Sequence, residues 1–189
     1  MSGGGAFVCL AVPFALLIFG GIWWIAVHNR LVRLQQHVYE TWADIDVELK
    51  RRHDLVPKLV ATVKGYAAHE RDVLERVVTA RNAAVEEARP ERLGFEETKL
   101  QRGLSRLFAV AEGYPQLKAD RNFLELQHEL ALTEDRLAAA RRFYNANVRE
   151  LNATAQSFPA SLVAGTRFRP AEYFEIADDA ERVAPRIGL

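Results

Sequence analysis

Apolar residues follow two different patterns along the chain. The first is an uninterrupted run, Ala6 to Val27, and residues 1–27 contain no Asp, Glu, Lys or Arg. A helix of ~20 apolar residues crosses the ~30 Å hydrocarbon core of a bilayer. Such a helix tolerates Pro13, Gly20 and Gly21, and the Trp23-Trp24 pair suits the lipid–water interface. The run therefore predicts a transmembrane helix over residues 6–27.

Two other interpretations of this run are a cleaved signal peptide and a buried helix away from lipid. A signal peptide carries a basic first region and a small-residue cleavage site. The start "MSGGG" has no basic side chain, and Trp23-Trp24-Ile25 occupies the place expected for cleavage. These features favour a retained anchor.

The charges on either side of the run predict its orientation. No Lys or Arg precedes it, whereas Arg30 and Arg33 follow it closely. Basic residues accumulate on the cytoplasmic side of membrane spans. We therefore expect a single-pass membrane protein with residues 1–5 outside the cell and the C-terminal body in the cytoplasm.

The second pattern is an apolar stripe with steps of three or four residues, which is typical of amphipathic helices. Pro90, Pro115 and Pro159 separate the later stripes. No stretch alternates as a strand would. The stripe residues are Leu31, Leu34, Val38, Trp42, Ile45, Leu49, Val56, Leu59, Val63 and Tyr66; then Val73, Val77, Ala80 and Ala84; then Leu93, Leu100, Leu104, Leu107, Ala111 and Tyr114; and finally Phe123, Leu126, Leu130, Leu137, Tyr144, Val148 and Leu151.

The first stripe passes Pro57 without losing phase. A proline inside a helix removes one hydrogen bond and clashes with the carbonyl four residues earlier. The sequence permits one long helix kinked near Asp54, or a new helix capped by Asp54 with Pro57 in its first turn. We favour the kinked helix.

These patterns predict an all-α fold with a single N-terminal transmembrane helix followed by an antiparallel, up-and-down helical bundle. The bundle is expected over residues 28–158 with about four helices, the first of them long and kinked. Residues 159–189 lack a strong period and are interpreted as a tail. Its aromatic residues, Phe168, Tyr173 and Phe174, are candidates for docking the tail onto the bundle.

Composition argues against nucleic-acid binding and excludes an intramolecular disulfide. The chain has 25 Lys+Arg and 25 Asp+Glu, and this zero net charge argues against a general nucleic-acid binder. Cys9 is the single cysteine, so no intramolecular disulfide can form.

Histidine-containing motifs in the body are candidate catalytic or metal sites. His53 and Asp54 are adjacent, so on a helix they point about 100° apart and form no dyad. His69-Glu70 and His128-Glu129 begin like a zinc-protease motif but lack its second histidine one turn later.

A di-iron site and a basic patch were the two further candidates. Glu125-x-x-His128 is half of a di-iron motif, but no second copy exists and His128 lies off the stripe. Lys50-Arg51-Arg52 resembles a basic patch, yet acidic residues precede it at the spacing of favourable helix pairs, Asp46 to Lys50 and Glu48 to Arg52. A solvated helical face is the favoured interpretation.

Several long sequence segments resemble those of the LemA family of bacterial membrane proteins. They extend over roughly residues 28–175, and the preceding apolar segment also fits the family layout. The segments are "WADIDVELKRRHDLVPKLVATVKGYAAHE" (Trp42–Glu70), "VVTAR" (Val77–Arg81), "LFAVAEGYPQLKADRNFLELQHEL" (Leu107–Leu130), "ARRFYNANVRELN" (Ala140–Asn152) and "RFRPAEYFE" (Arg167–Glu175). The resemblance implies a short external N-terminus, one span and a cytoplasmic antiparallel helical bundle. It implies no enzymatic activity and no catalytic residues.

We therefore expect a non-enzymatic, membrane-anchored interaction protein without catalytic, cofactor-binding or metal-binding residues. Its expected partners are the lipid bilayer and membrane or cytoplasmic proteins, with a homo-oligomer as one option and no nucleic acid. An alternative is an enzyme with a polar site between helices, built from His53, Arg81, Glu112 and Tyr144. A further alternative is self-association through the "FGGIWW" part of the span. The charges around Pro57 are expected to pair with residues such as Glu112, Arg141 or Asn145.

Overall fold

The computed structural model describes residues 3–165 and 168–176, and this part of the chain is helical without strands. The all-α prediction is therefore confirmed for it. Residues 1–2, 166–167 and 177–189, which include all of the predicted tail beyond Ile176, lie outside the described residues. The helices are α1 (Gly3–Tyr66), α2 (Arg71–Glu86), α3 (Pro90–Ala111), α4 (Pro115–Lys118), α5 (Arg121–Gln156) and α6 (Ala160–Ala164).

Helix α1 combines both apolar patterns of the sequence. Every residue from Pro13 to Ile22 is exposed, whereas from Leu31 onward a stripe of side chains is buried. Of the described helices, α1 is the one long and apolar enough to cross a membrane. The predicted span and the first helix of the body are thus parts of one continuous helix.

Pro57 lies inside α1, which continues without interruption to Tyr66. The alternative in which Asp54 caps a new helix is therefore wrong. The kink near Asp54 stays a prediction.

The remaining long helices agree with the sequence patterns except at their ends. Helix α2 ends at Glu86, before Pro90, and Pro90 opens α3, where its missing N–H costs nothing. Helix α3 ends at Ala111, so the prediction that it includes Tyr114 is wrong. Tyr114 instead precedes α4, a single turn that the stripes did not indicate.

The chain divides into two compact units: Met1–Glu40 with Ala146–Ala171, and Thr41–Asn145 with Glu172–Leu189. In the second unit, the stripes of α1, α2, α3 and α5 converge on one apolar cluster with Ala67 and Leu117. Its buried members are Val56, Leu59, Val63, Ala67, Leu74, Val77, Leu100, Leu104, Leu107, Ala111, Leu117, Phe123 and Leu130.

The predicted tail begins with a short helix. Helix α6 occupies Ala160–Ala164, an element of about one turn that the sequence pattern did not indicate. Phe174 is fully buried and Phe168 packs its ring against His28, so two of the three proposed docking residues have that role. Tyr173 is 40% exposed, and its docking role stays a prediction.

Candidate functional site

The second unit contains a layer of polar side chains within its apolar stripes, which we call the polar layer: Arg52, His53, Arg81, Glu97 and Glu134. Arg52 and His53 follow Leu49 on α1, and Glu97 lies between Leu93 and Leu100 on α3. Helical spacing assigns all three positions, Arg52, His53 and Glu97, to the core. Of the described polar and charged residues, those buried are Arg52, His53, Glu97, Thr98 and Thr133.

Glu97 is the centre of the polar layer. Its side chain has 0% exposure. Arg52 Nη1 donates to Glu97 Oε2 over 3.2 Å, and His53 Nε2 lies 2.6 Å from Glu97 Oε1, within hydrogen-bond distance. Arg52 Nη1 also lies 3.3 Å from Glu134 Oε2 of α5. One buried carboxylate thus connects α1 with α3, and one arginine connects both with α5.

Such a cluster is tolerated inside a core only when each charge has a partner. Removing an ion from water costs several kcal/mol even after relaxation, and partners at hydrogen-bond distance offset this cost. The two oxygens of Glu97 are both engaged. The layer is therefore expected to fix the relative register of the helices more than to raise stability.

Arg81 of α2 joins the layer through the backbone rather than through a carboxylate. Its Nε donates to the carbonyl oxygen of His53 over 3.2 Å. His53 lies four residues before Pro57, so in a regular helix this carbonyl would accept the N–H that proline lacks. Arg81 supplies the missing donor. This explains how α1 passes Pro57 without leaving the His53 carbonyl unsatisfied.

A second group of polar side chains holds the tail against α5. The Tyr144 hydroxyl donates to the Glu172 carbonyl over 2.8 Å. Asn145 Nδ2 donates to the Phe174 carbonyl over 2.9 Å, and its Oδ1 accepts from the Phe174 N–H over 3.0 Å. Arg141 donates to the Ile176 carbonyl over 2.9 Å. These contacts satisfy the backbone of an extended segment.

Aromatic packing and a close backbone approach complete the tail contact. Trp42 packs against two aromatic rings. The Phe174 ring meets it edge-on at 5.5 Å between centroids, and the Tyr144 ring lies 5.3 Å from it. Burial is the main cause that raises the pKa of Tyr144, and the nearby Glu172 charge adds to it. Gly94 of α3 faces the Glu175 carbonyl so closely that a Cβ atom would collide with it. Residues 172–176 of the predicted tail are thus a packed part of this unit.

The residues of the proposed inter-helix enzyme site do not form one site. His53 and Arg81 belong to the polar layer, whereas Tyr144 contacts Trp42, which precedes His53 by about 16 Å along α1. Glu112 is exposed. The expectation that Glu112, Arg141 or Asn145 would pair with the charges near Pro57 is wrong, because those charges pair with Glu97 and Glu134.

The other candidate motifs are dispersed over the surface. His69, Glu125 and His128 are exposed, and Glu70 accepts a 3.3 Å hydrogen bond from the Tyr114 hydroxyl. Asp54 is exposed while His53 is buried, so the two side chains point apart. The described residues contain no group of three or more His, Cys, Asp or Glu side chains placed to hold a metal ion.

A sequence profile of the LemA family matches residues 41–188. The chain belongs to the LemA family. It is 27% identical to "Protein LemA" of Metamycoplasma hominis over 81% of its own length and 71% of that protein. It is also similar to "Magnetosome protein MamQ 2" of Paramagnetospirillum magneticum, at 25% identity over 85% of this chain and 70% of that protein. The "Magnetosome protein MamQ" of Magnetospirillum gryphiswaldense is 24% identical over the same shares.

Sequence reasoning missed Glu97 and Glu134, the acidic partners in this LemA-family chain. A signal for Glu97 was present, because it occupies a stripe position where a leucine would be expected. Arg52 occupies the corresponding position of α1, so interpreting Lys50-Arg51-Arg52 as one solvated face is wrong for Arg52. Lys50 and Arg51 are exposed, as expected.

Proposed function

We propose that this LemA-family protein is anchored in a bacterial membrane by residues 6–27, with a short external N-terminus and a cytoplasmic body. The exposed, uncharged part of α1 supports the anchor, since these side chains have no other apolar surroundings. Arg30 and Arg33, which follow it, support the orientation. The magnetosome proteins among the relatives are in keeping with a place at a bacterial membrane. A reporter that works only in the periplasm, fused after Leu189, should be inactive, and its activity would reverse the orientation.

The body is proposed to be an antiparallel, up-and-down bundle of the four long helices. Three contacts support opposite directions of α1 and α5. Trp42 meets Tyr144, Arg52 meets Glu134, and the Tyr66 hydroxyl donates to Asp120 over 2.8 Å. As the α1 residue number rises in these pairs, the partner's number falls, from Tyr144 and Glu134 of α5 to Asp120, which directly precedes α5.

The body is further proposed to be non-enzymatic and to present a charged surface to protein partners at the membrane. The observation that carries this proposal is that the buried Arg52 and His53 side chains are engaged internally, both by Glu97. Charged side chains exposed at the surface, such as Lys50 and Arg51, are available to a partner. One shallow depression of about 360 Å³ is lined by the basic Lys50, Arg51 and Lys58, the acidic Asp54 and Glu129, and the apolar Val47 and Leu55.

Crosslinking in intact membranes, followed by mass spectrometry of copurifying proteins, tests the surface. The variant Lys50→Glu with Arg51→Glu reverses two exposed charges of the depression. Arg71→Glu with Arg76→Glu is the matched control, since both residues are exposed on α2. We expect a reproducible partner that is lost in the first variant and kept in the second. If both variants recover the partner protein equally, the depression is not its binding surface.

Two other outcomes would favour the alternatives. A metal or small molecule that copurifies stoichiometrically, and depends on His53 or Glu112, would support an enzyme. One observation favours a ligand between the helices: Glu48 Oε2 and Gln101 Oε1 are buried without a hydrogen-bond partner in the described part of the chain. Recovery of this protein alone, lost on substitution within "FGGIWW", would support self-association through the span.

A further inference from the structure

A second uncharged stretch lies near the C-terminal end of α5. Residues 151–166 contain no Asp, Glu, Lys or Arg, although the chain as a whole is 26% charged. The stretch begins after Glu150 and ends before Arg167. It includes the last turns of α5, the turn at Phe158-Pro159, and α6.

An ion pair in the first unit aligns this stretch with the span. Arg30 Nη2 lies 3.9 Å from Glu150 Oε1. Arg30 is also the first formally charged residue of α1. The charged residues of α1 and α5 therefore end at the same level. With α1 and α5 antiparallel, as proposed above, both continue from this pair in the same direction as uncharged segments.

The end of α5 reaches the level of the tryptophan pair. Gln156 lies about 9 Å beyond Glu150, which matches the rise from Arg30 back to Trp24. The exposure of α1 agrees with this register. Side chains from Pro13 to Ile22 are exposed, and Trp23 is the first to be partly buried. The α5–α6 turn thus lies beside the residues that are expected at the lipid–water interface.

Two large apolar side chains of the turn point away from the protein. Phe158 is 81% exposed and Leu162 is 61% exposed, whereas Val163 and Ala164 are buried. The chain then returns to the level of His28, whose ring lies 6.3 Å from that of Phe168. The exposed Arg169 follows at this level. An apolar tip followed by basic residues is the pattern of an element that enters a membrane interface.

We propose that the turn from Ser157 to Ala164 is a second membrane contact, with Phe158 and Leu162 inserted among the lipid headgroups beside Trp23 and Trp24. The proposal rests on the anchor and the antiparallel arrangement proposed above. A bilayer is the occupant that the structure favours, because the ion pair places the tip at the depth where the span meets water. The body is then attached to the membrane at two points instead of one.

Fluorescence quenching in reconstituted vesicles tests the contact on the full-length chain. In a Cys9→Ser background, single cysteines Phe158→Cys and Leu162→Cys would each carry a polarity-sensitive label. The vesicles contain phosphatidylcholine and phosphatidylglycerol, with nitroxide-bearing lipid in one set and aqueous iodide in another. Leu17→Cys, in the apolar run, is the lipid control, and Phe143→Cys, 68% exposed on α5, is the water control.

We expect the labels at positions 158 and 162 to be quenched by the nitroxide lipid and to show several-fold weaker iodide quenching than the label at position 143. Iodide quenching equal to that at position 143 would overturn the second contact. Protection from both quenchers would also overturn it, because the tip would then be covered by protein. If the label at position 17 is itself quenched by iodide, the anchor fails, and this inference fails with it.

Discussion

Helix α1 has two halves with opposite surfaces. From Pro13 to Ile22 every residue is exposed and uncharged, whereas from Leu31 to Val63 a buried apolar stripe alternates with charged positions. The backbone is helical throughout, so the difference lies in the side chains alone. A helix that is apolar all round requires apolar surroundings on every side, and a striped helix requires them on one side.

The comparison indicates where a polar residue can be placed in each half. The striped half accommodates Arg52 and His53 in its core because Glu97 is within hydrogen-bond distance. The apolar half has no such partner and contains no formal charge. Both halves contain a proline, but Pro57 alone lies where Arg81 donates to the carbonyl four residues earlier. Substitutions in one half should therefore leave the properties of the other unchanged.

The largest expected effect follows the loss of the central carboxylate. Glu97→Ala leaves Arg52 and His53 buried without their shared partner, which is expected to cost about 3–5 kcal/mol of unfolding free energy. Urea denaturation in mild detergent, followed by far-ultraviolet circular dichroism, measures this loss. Membrane retention of the variant should equal that of the parent. Glu96→Ala is the control, because Glu96 pairs with the exposed Lys99 and loss of such a pair should cost about 0–1 kcal/mol.

A charge in the apolar half should have the converse effect. Leu17→Arg places an arginine near the middle of the run, at a cost of about 2.5–3.5 kcal/mol for insertion at the centre of a span. We expect a smaller membrane-bound fraction after cell fractionation and an unchanged melting temperature of the body. Leu17→Ala is the matched control and should remain in the membrane. A lower melting temperature with full membrane retention would show that Leu17 packs inside the protein.

The donor role of Arg81 predicts coupling with Pro57. Arg81→Met leaves the His53 carbonyl unpaired and is expected to cost about 1–3 kcal/mol. In a Pro57→Ala background the new N–H at position 57 supplies the bond, so the same change should cost less. Pro57→Ala alone should be tolerated, since proline in a helix interior costs ~3 kcal/mol. Unfolding free energies of the four proteins measure the coupling. Pro13→Ala is the control, and its effect on the unfolding free energy should show no coupling with that of Arg81→Met.

The smallest effect is expected at the end of α1 farthest from the run. The Phe123 N–H and then the Tyr66 hydroxyl lower the pKa of Asp120. Since the pKa is depressed in the folded protein, this stabilisation is present above the ordinary pKa of aspartate and is lost as the pH falls through the folded value. Asp120→Asn should slightly lower the melting temperature at neutral pH, and the difference should vanish in acid. A difference that is constant with pH would contradict this account, and Asp135→Asn, which changes an exposed residue, is the control.

The periodicity of apolar residues was sufficient to predict the four long helices, because each stripe marks one buried face. It was not sufficient for α4 and α6, since helices of one turn are too short to show a period. The polar layer was also missed. Glu97 sits in its stripe like a core residue, and its pairing with Arg52 depends on which helices become neighbours. Arg81 was considered as a catalytic residue, whereas the structure relates it to the proline of another helix.

Labelling with a membrane-impermeant maleimide tests the central claim most directly, namely that α1 has one half in the membrane and the other in the cytoplasm. In a Cys9→Ser background, Ser2→Cys and Asp135→Cys provide one thiol on each side of the proposed span. We expect Ser2→Cys to be labelled in intact cells with a permeabilised outer envelope, and Asp135→Cys to be labelled only after the inner membrane is disrupted. Labelling of Asp135→Cys before disruption, with Ser2→Cys protected or equally labelled, would contradict the account.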